Sequence, residues 1–228
     1  MIVIRNPATR RILRATLPFA VIPAAVAAGA LLFREKGYLA VSLTVAGLAL
    51  LLFTAGYERR RTGSRRMVLT AVMTALCIAG RFIPFFKPIT ALTVLTAMYL
   101  GPESGFLTGA MAALASNFWF GQGPWTPFQM LAWGLIGLFA GYLHKPLKSS
   151  RLLLLVYGAL SGAAYSLVMD VWTVLWYEGG FNPGLYGASV LAALPHTVLY
   201  ILSNLVFLYL LARPIGEKLE RVRVKYGL

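Results

Sequence analysis

A helix needs about 20 consecutive apolar residues to cross the hydrocarbon core of a bilayer, and runs of that kind recur along this chain. Residues 13–33 and 38–56 both have the length. After the basic stretch from Glu58 to Arg66, further apolar segments follow at 67–86, 89–100, 105–120, 125–143, 152–177 and 190–212. Together they predict eight transmembrane helices. The segment at 89–100 is short for a span, and reads either as a tilted helix packed among neighbours or as one extending into Lys87-Pro88 and Gly101-Pro102. Composition points the same way: at 59% hydrophobic and 12% charged residues, a chain of 228 residues has too little polar surface to coat a soluble globule.

Residues 15–30 also fit a secretory signal, because Arg5, Arg10, Arg11 and Arg14 precede an alanine-rich run with small-residue cleavage sites. Against this, the run is long, and a second helix follows after only Arg34-Glu35-Lys36-Gly37. A retained helical hairpin accounts for both features.

The net charge of +14 is spread in short runs between apolar stretches, which excludes a nucleic-acid-binding domain and points to membrane topology. Of the 21 Lys and Arg residues, 17 fall on one side of the predicted membrane: Arg5, Arg10, Arg11 and Arg14; Arg59, Arg60, Arg61, Arg65 and Arg66; Lys145, Lys148 and Arg151; Arg213, Lys218, Arg221, Arg223 and Lys225. The other side holds Arg34, Lys36 and Lys87, and Arg81 lies within a span. Positive charge collects in cytoplasmic loops. Both termini are therefore expected in the cytoplasm, with the loops around 87, 121–124 and 178–189 outside. The lone Cys77 allows neither an intrachain disulfide nor a cysteine metal site.

Placed by depth at about 1.5 Å per residue, the polar residues within the spans gather near the outer face. Arg81, Asn117 and Asp170 lie late in outward-running helices, and Gln129 and His196 lie early in inward-running ones. Unpaired charge at that depth is costly, so either a pocket or an ion pair is expected. Trp125, Trp133, Trp172, Trp176 and Phe120 surround the same level. These aromatics suit an interfacial belt as well as a binding site. Arg81 and Asp170 can simply neutralise each other, and Asn117 can serve a neighbouring helix. Convergence favours a largely aromatic pocket with a few polar groups, as small-molecule recognition requires. Two Gly- and Pro-rich turns, Phe120 to Pro127 and Tyr177 to Gly184, are placed to cap it. The expected ligand-binding set is Arg81, Asn117, Phe120, Gln122, Trp125, Gln129, Asp170, Trp176, Asn182 and His196.

Small residues form ridges at Gly101, Gly105, Gly109 and Ala113, and at Gly158, Gly162 and Ser166. Such ridges let helices of one chain approach closely. Ala71, Ala75 and Ala79 form a separate stripe, and two residues further on Arg81 points about 200° away from it. If Arg81 faces a pocket, the alanines face outward, and a partner helix uses them better than lipid does.

Catalytic signatures are absent: there is no Walker A stretch, no H-E-x-x-H, no G-x-S-x-G elbow, and Asp170 is the only acid in a span. The chain reads as no enzyme and as needing no cofactor. His196, Tyr200 and Asn204 share a helix face at i, i+4 spacing, which suits either pocket lining and helix contacts or a proton path.

Two features carry a family likeness: the alanine stripe Ala71-x-x-x-Ala75 with Ala79 on the first of six helices, and the segment Ser116-Asn117-Phe118-Trp119-Phe120-Gly121-Gln122-Gly123-Pro124-Trp125-Thr126-Pro127-Phe128-Gln129-Met130. From about residue 66 to 214 the chain resembles the substrate-binding S components of energy-coupling factor (ECF) vitamin transporters. The second segment resembles one in S components associated with cobalamin. That resemblance implies an all-α, polytopic six-helix membrane bundle with an outward vitamin pocket, best matched to cobalamin or a related corrinoid. It also implies partners: a transmembrane coupling subunit gripping Ala71, Ala75 and Ala79, and two cytoplasmic ATPases. The chain then divides into a two-helix N-terminal extension (1–57), a basic linker (58–66), the six-helix domain (67–214) and a basic cytoplasmic tail (215–228). The extension departs from the family pattern and opens the question of how the bundle docks. A self-sufficient carrier is the alternative reading, and a membrane enzyme or assembly factor the next, but no internal repeat with broken helices and no clustered nucleophile, base or metal site supports them.

Overall fold

The computed structural model describes residue 4 and residues 6–33, 37–56 and 60–226, with the side chains of 60–63 excepted. Arg5, Arg34, Lys36 and Arg59 of the charge count, and the side chains of Arg60 and Arg61, lie outside the described residues. Helix α1 (Pro7–Thr16) starts where the Asn6 side chain accepts a hydrogen bond from the Ala8 amide at 2.9 Å, with Pro7 at a position whose missing N–H costs nothing. A π-helical turn, Leu17–Val21, leads into α2 (Ile22–Phe33). Pro18 and Pro23 each remove a backbone donor there, and the widened turn absorbs the gaps. Next come α3 (Tyr38–Ala55), α4 (Arg60–Gly80), α5 (Ile89–Leu100), α6 (Pro102–Phe120), α7 (Thr126–Tyr142), the short α8 (His144–Ser149), α9 (Arg151–Glu178) and α10 (Pro183–Tyr226). Among the described residues there is no strand, and the protein is the all-α polytopic bundle that its apolar runs require. Pro7–Phe33, α3, α9 and α10 are each long and apolar enough to cross a membrane.

Two helices, α4 and α10, differ at both ends from what the hydropathy suggests. Helix α4 begins at Arg60, inside the basic stretch, and stops at Gly80 instead of 86. Pro84 and Pro88 disfavour helical backbone in the residues before them, so residues 81–88 form a loop. Helix α5 keeps its 12 residues and does not extend. At about 18 Å it is shorter than the hydrocarbon core of about 30 Å, and all of it except Tyr99 is buried, enclosed by α4, α6, α7 and α10. Helix α10 runs for 44 residues, through both the preceding turn and the basic tail. The tail stays helical because it packs: Gly216 lies against the Tyr99 ring, Leu219 is buried, and Lys148 Nζ meets Glu220 Oε2 at 2.8 Å.

The small-residue ridges fall between helices of this chain. A Cβ on Gly105 would collide with Ala97 and with the Gly137 carbonyl, and one on Gly109 with the backbone of Trp133, so α6 and α7 meet almost backbone to backbone. Gly158 and Gly162 likewise bring α9 against Leu208 and Ile201 of α10, where Asn204 Nδ2 donates to the Gly158 carbonyl at 2.9 Å. The N-terminal hairpin packs on α6 and α7, burying Val45, Ala49, Leu52 and Phe53 of α3. It leaves the outer face of α4 open, and Ala71, Ala75 and Ala79 are all exposed.

Candidate functional site

Where α4 ends, away from the arginine-rich end of the bundle, Arg81 turns inward and is only 8% exposed. Its Nη1 donates to Ser116 Oγ and, at 2.7 Å, to Asn117 Oδ1. Asn117 Nδ2 donates in turn to Thr126 Oγ1 and to Gln129 Oε1, both at 2.8 Å. All of the amide's hydrogen-bonding atoms are engaged, and a flipped amide would set its NH₂ against the guanidinium, so the chemistry fixes its orientation. Thr126 Oγ1 then donates to Gln122 Oε1 at 3.0 Å, and Gln122 Nε2 donates to the Leu114 carbonyl at 2.9 Å. The network ties the ends of α4, α6 and α7 into one polar layer.

Beside this layer is a cavity of about 210 Å³ walled by the start of α5, by α7, α9 and α10, and by the 81–88 loop. Trp133 and Tyr165 stack with centroids 4.5 Å apart and planes 22° from parallel, and Tyr200 meets Tyr165 edge-on at 5.0 Å. Trp133 Nε1 donates to Thr90 Oγ1 at 3.2 Å, which holds the indole in place. The Arg81 guanidinium lies 5.0 Å from the Phe120 centroid and 5.4 Å from that of Trp133, both within cation–π range. Its Nε is buried without a hydrogen-bond partner. Lys87 adds a second cation, and among the described residues no acid lines the cavity. A ligand here meets flat aromatic faces and donors in search of acceptors.

Of the residues expected at the site, Arg81, Gln129 and His196 line the cavity, with His196 at its exposed rim. Asn117, Phe120 and Gln122 stand behind them: Asn117 and Gln122 position Arg81 and Gln129, and Phe120 covers the guanidinium. The remainder lie apart. Trp125 packs edge-on against Trp172, which in turn neighbours the half-exposed Trp176. Asn182 caps α10 by accepting from the Leu185 amide and donates to Glu178. Asp170 is buried, but its partner is Ser189 Oγ at 2.8 Å on α10, and no ion pair joins it to Arg81.

The loop over the cavity is 81–88, not either of the two Gly- and Pro-rich turns. Ser203 of α10 pins it twice, accepting from the Lys87 amide at 2.8 Å and donating to the Lys87 carbonyl at 3.0 Å. Phe85 lines the cavity with φ at 61°, a left-handed conformation that costs a bulky residue energy. Tyr165, Thr90, Ser203 and Lys87 also line the cavity beyond the expected set, and so do Tyr200 and Asn204, which share the helix face of His196. A signal for Tyr165 exists in its spacing: it sits one turn beyond Gly162, on the face that must meet α10. Among the described residues no three His, Cys, Asp or Glu side chains gather to hold a metal.

Residues 62–218 match the family model described as ECF-type riboflavin transporter, S component, which is more than half of the chain. The chain belongs to this S component family. No curated protein and no solved structure matches it. An S component is the substrate-binding subunit of a transporter, and the matched stretch contains every residue of the cavity. The N-terminal hairpin of this S component lies outside the match. The matched description names a riboflavin type and not the cobalamin type of the sequence resemblance.

Proposed function

We propose that this S component captures a flavin-class vitamin, with riboflavin as the leading ligand, for ATP-driven uptake by partner subunits. The observation that carries the reading is the pairing, in one cavity, of the stacked Trp133 and Tyr165 with an Arg81 that has no carboxylate partner. Flavins present a flat tricyclic ring for the aromatic faces and carbonyl and ring-nitrogen acceptors for the guanidinium. Size supports the same choice. Small-molecule pockets run from about 300 to 1,000 Å³; the cavity of about 210 Å³ lies below that range, so only the smaller of the two vitamins could enter, with its side chain projecting through the open rim. A corrin ring with its nucleotide tail is far larger. The family description supports riboflavin over cobalamin as well.

In this reading the arginine-rich end is cytoplasmic, as the charge asymmetry favours, and the cavity opens to the outside. The exposed Ala71, Ala75 and Ala79 stripe is the docking face for a transmembrane coupling subunit, with two ATPases beneath it. Titrating the purified chain with riboflavin, followed by flavin fluorescence, tests the ligand, with cobalamin titrated in parallel by calorimetry. Saturable quenching by riboflavin is expected. Binding of cobalamin with no response to riboflavin would sink the proposal.

A further inference from the structure

At the arginine-rich end, two cavities share Arg14 and Tyr142. One, of about 430 Å³, runs along α1 past Arg10, Arg11, Arg14 and Phe19. The other, of about 380 Å³, continues from Arg14 to Arg66, His144 and Arg223. The arginines are not only scattered topology signals, because Glu103, buried at the head of α6, gathers two of them: its Oε1 lies 2.5 Å from Arg14 Nε and its Oε2 3.6 Å from Arg66 Nη2. Arg10 Nε donates to the Ala55 carbonyl at 3.1 Å and so fixes α1 to the end of α3. One carboxylate thus holds two of the five arginines that line these cavities, and Arg223 pairs with Glu220 at 3.2 Å.

A third cavity, about 440 Å³, is a groove between α7 and α9 lined by Leu135, Ile136, Phe139, Leu143, Leu160 and Ala164, among others, and no charged residue borders it. Phe139 links it to the basic end: its ring lies 5.8 Å from that of Phe19, which itself lines the first basic cavity. Positive charge at the headgroup level therefore continues directly into an apolar channel running along the membrane-spanning helices.

We propose that this composite surface is a binding site for one anionic phospholipid, with its phosphate among Arg10, Arg11 and Arg14 and an acyl chain in the groove between α7 and α9. Charge complementarity selects the occupant: basic pockets between transmembrane helices hold anionic headgroups, and the apolar groove has no use for a soluble anion. A zwitterionic lipid leaves the arginine excess unbalanced. The site lies outside the vitamin cavity and does not depend on which vitamin is bound. It makes the N-terminal hairpin, which the family match leaves out, one wall of a lipid site.

Native mass spectrometry of the full chain in nonionic detergent tests the site, with phosphatidylglycerol or phosphatidylcholine of identical chains added. Phosphatidylglycerol is expected to be retained selectively, and inorganic phosphate at equal concentration is expected not to displace it. Arg11→Gln, at an exposed position, should lower occupancy about five-fold, the contribution of one arginine near an anionic headgroup. Ala164→Trp, also exposed, should fill the groove and lower occupancy with no change in charge. Arg11→Glu should deepen the loss caused by Arg11→Gln. Equal retention of phosphatidylcholine, displacement by inorganic phosphate, or an effect of the arginine variants without one from Ala164→Trp would overturn the proposal.

Discussion

Arg81 and Asn117 are joined by a 2.7 Å hydrogen bond from Nη1 to Oδ1, and that bond sets the direction in which the cation just past the end of α4 can point. Asn117 does not line the cavity, yet it fixes both Arg81 and Gln129, which do. Hydrogen bonds to charged groups contribute about 1.5–3 kcal/mol. Asn117→Ala should therefore weaken ligand binding by about ten-fold or more, at about 1.4 kcal/mol per factor of ten. Isothermal calorimetry on variant and parent measures it, with helicity by circular dichroism showing that the bundle survives. An unchanged Kd would mean that Arg81 needs no positioning.

The stack of Trp133 on Tyr165 makes a second expectation. Aromatic pairs contribute about 0.5–1.5 kcal/mol beyond area burial, and here one partner forms the floor for a flat ligand. Tyr165→Leu should weaken riboflavin binding by about two- to ten-fold and shift the tryptophan emission. Trp133→Phe keeps the stack but loses the bond to Thr90, so its effect should be smaller. The reverse order in fluorescence titrations would place the ligand elsewhere.

Asp170 pairs with Ser189 inside the α9–α10 hairpin, away from the cavity. Asp170→Asn retains an oxygen that can accept from Ser189 and should leave vitamin affinity unchanged, with any cost appearing in thermal stability. A loss of affinity at unchanged stability would bring this carboxylate into the site.

Bulk on the exposed alanine stripe should separate capture from transport. Ala71→Trp with Ala75→Trp blocks close helix approach by a partner, so cellular uptake should fall to background while purified protein binds vitamin normally. Uptake at parental rates would return the stripe to lipid.

That Arg81, Gln129 and His196 line one cavity was legible because a polar residue in an apolar run has few reasons to be there. Tyr165 was not, since an aromatic is at home in a membrane helix and only its azimuth marks it. Depth was readable for Asp170, Trp176 and Asn182, but depth does not say which neighbour a side chain faces, and all three meet local partners. Helix ends were read short at α10 and long at α4 for one reason. Hydropathy changes where the bilayer ends, whereas a helix ends where its backbone bonds are lost, at Pro84 and Pro88 but not at the basic tail. The all-α polytopic bundle itself was plain from length and apolarity, which the hydrocarbon core dictates directly.

Ser203, which clasps the loop over the cavity, and Gly216, seated on Tyr99, belong to the same helix, about 20 Å apart along its axis, with Pro214 between them. A shift of α10 that loosens the clasp on Lys87 slides or tilts Gly216 against Tyr99 and strains the Lys148 to Glu220 contact, except where the helix bends at Pro214, whose ring leaves one backbone bond unmade. The cavity at one end of the bundle and the arginine- and lysine-rich end thus share one helix, and movement at either can reach the other along a single backbone.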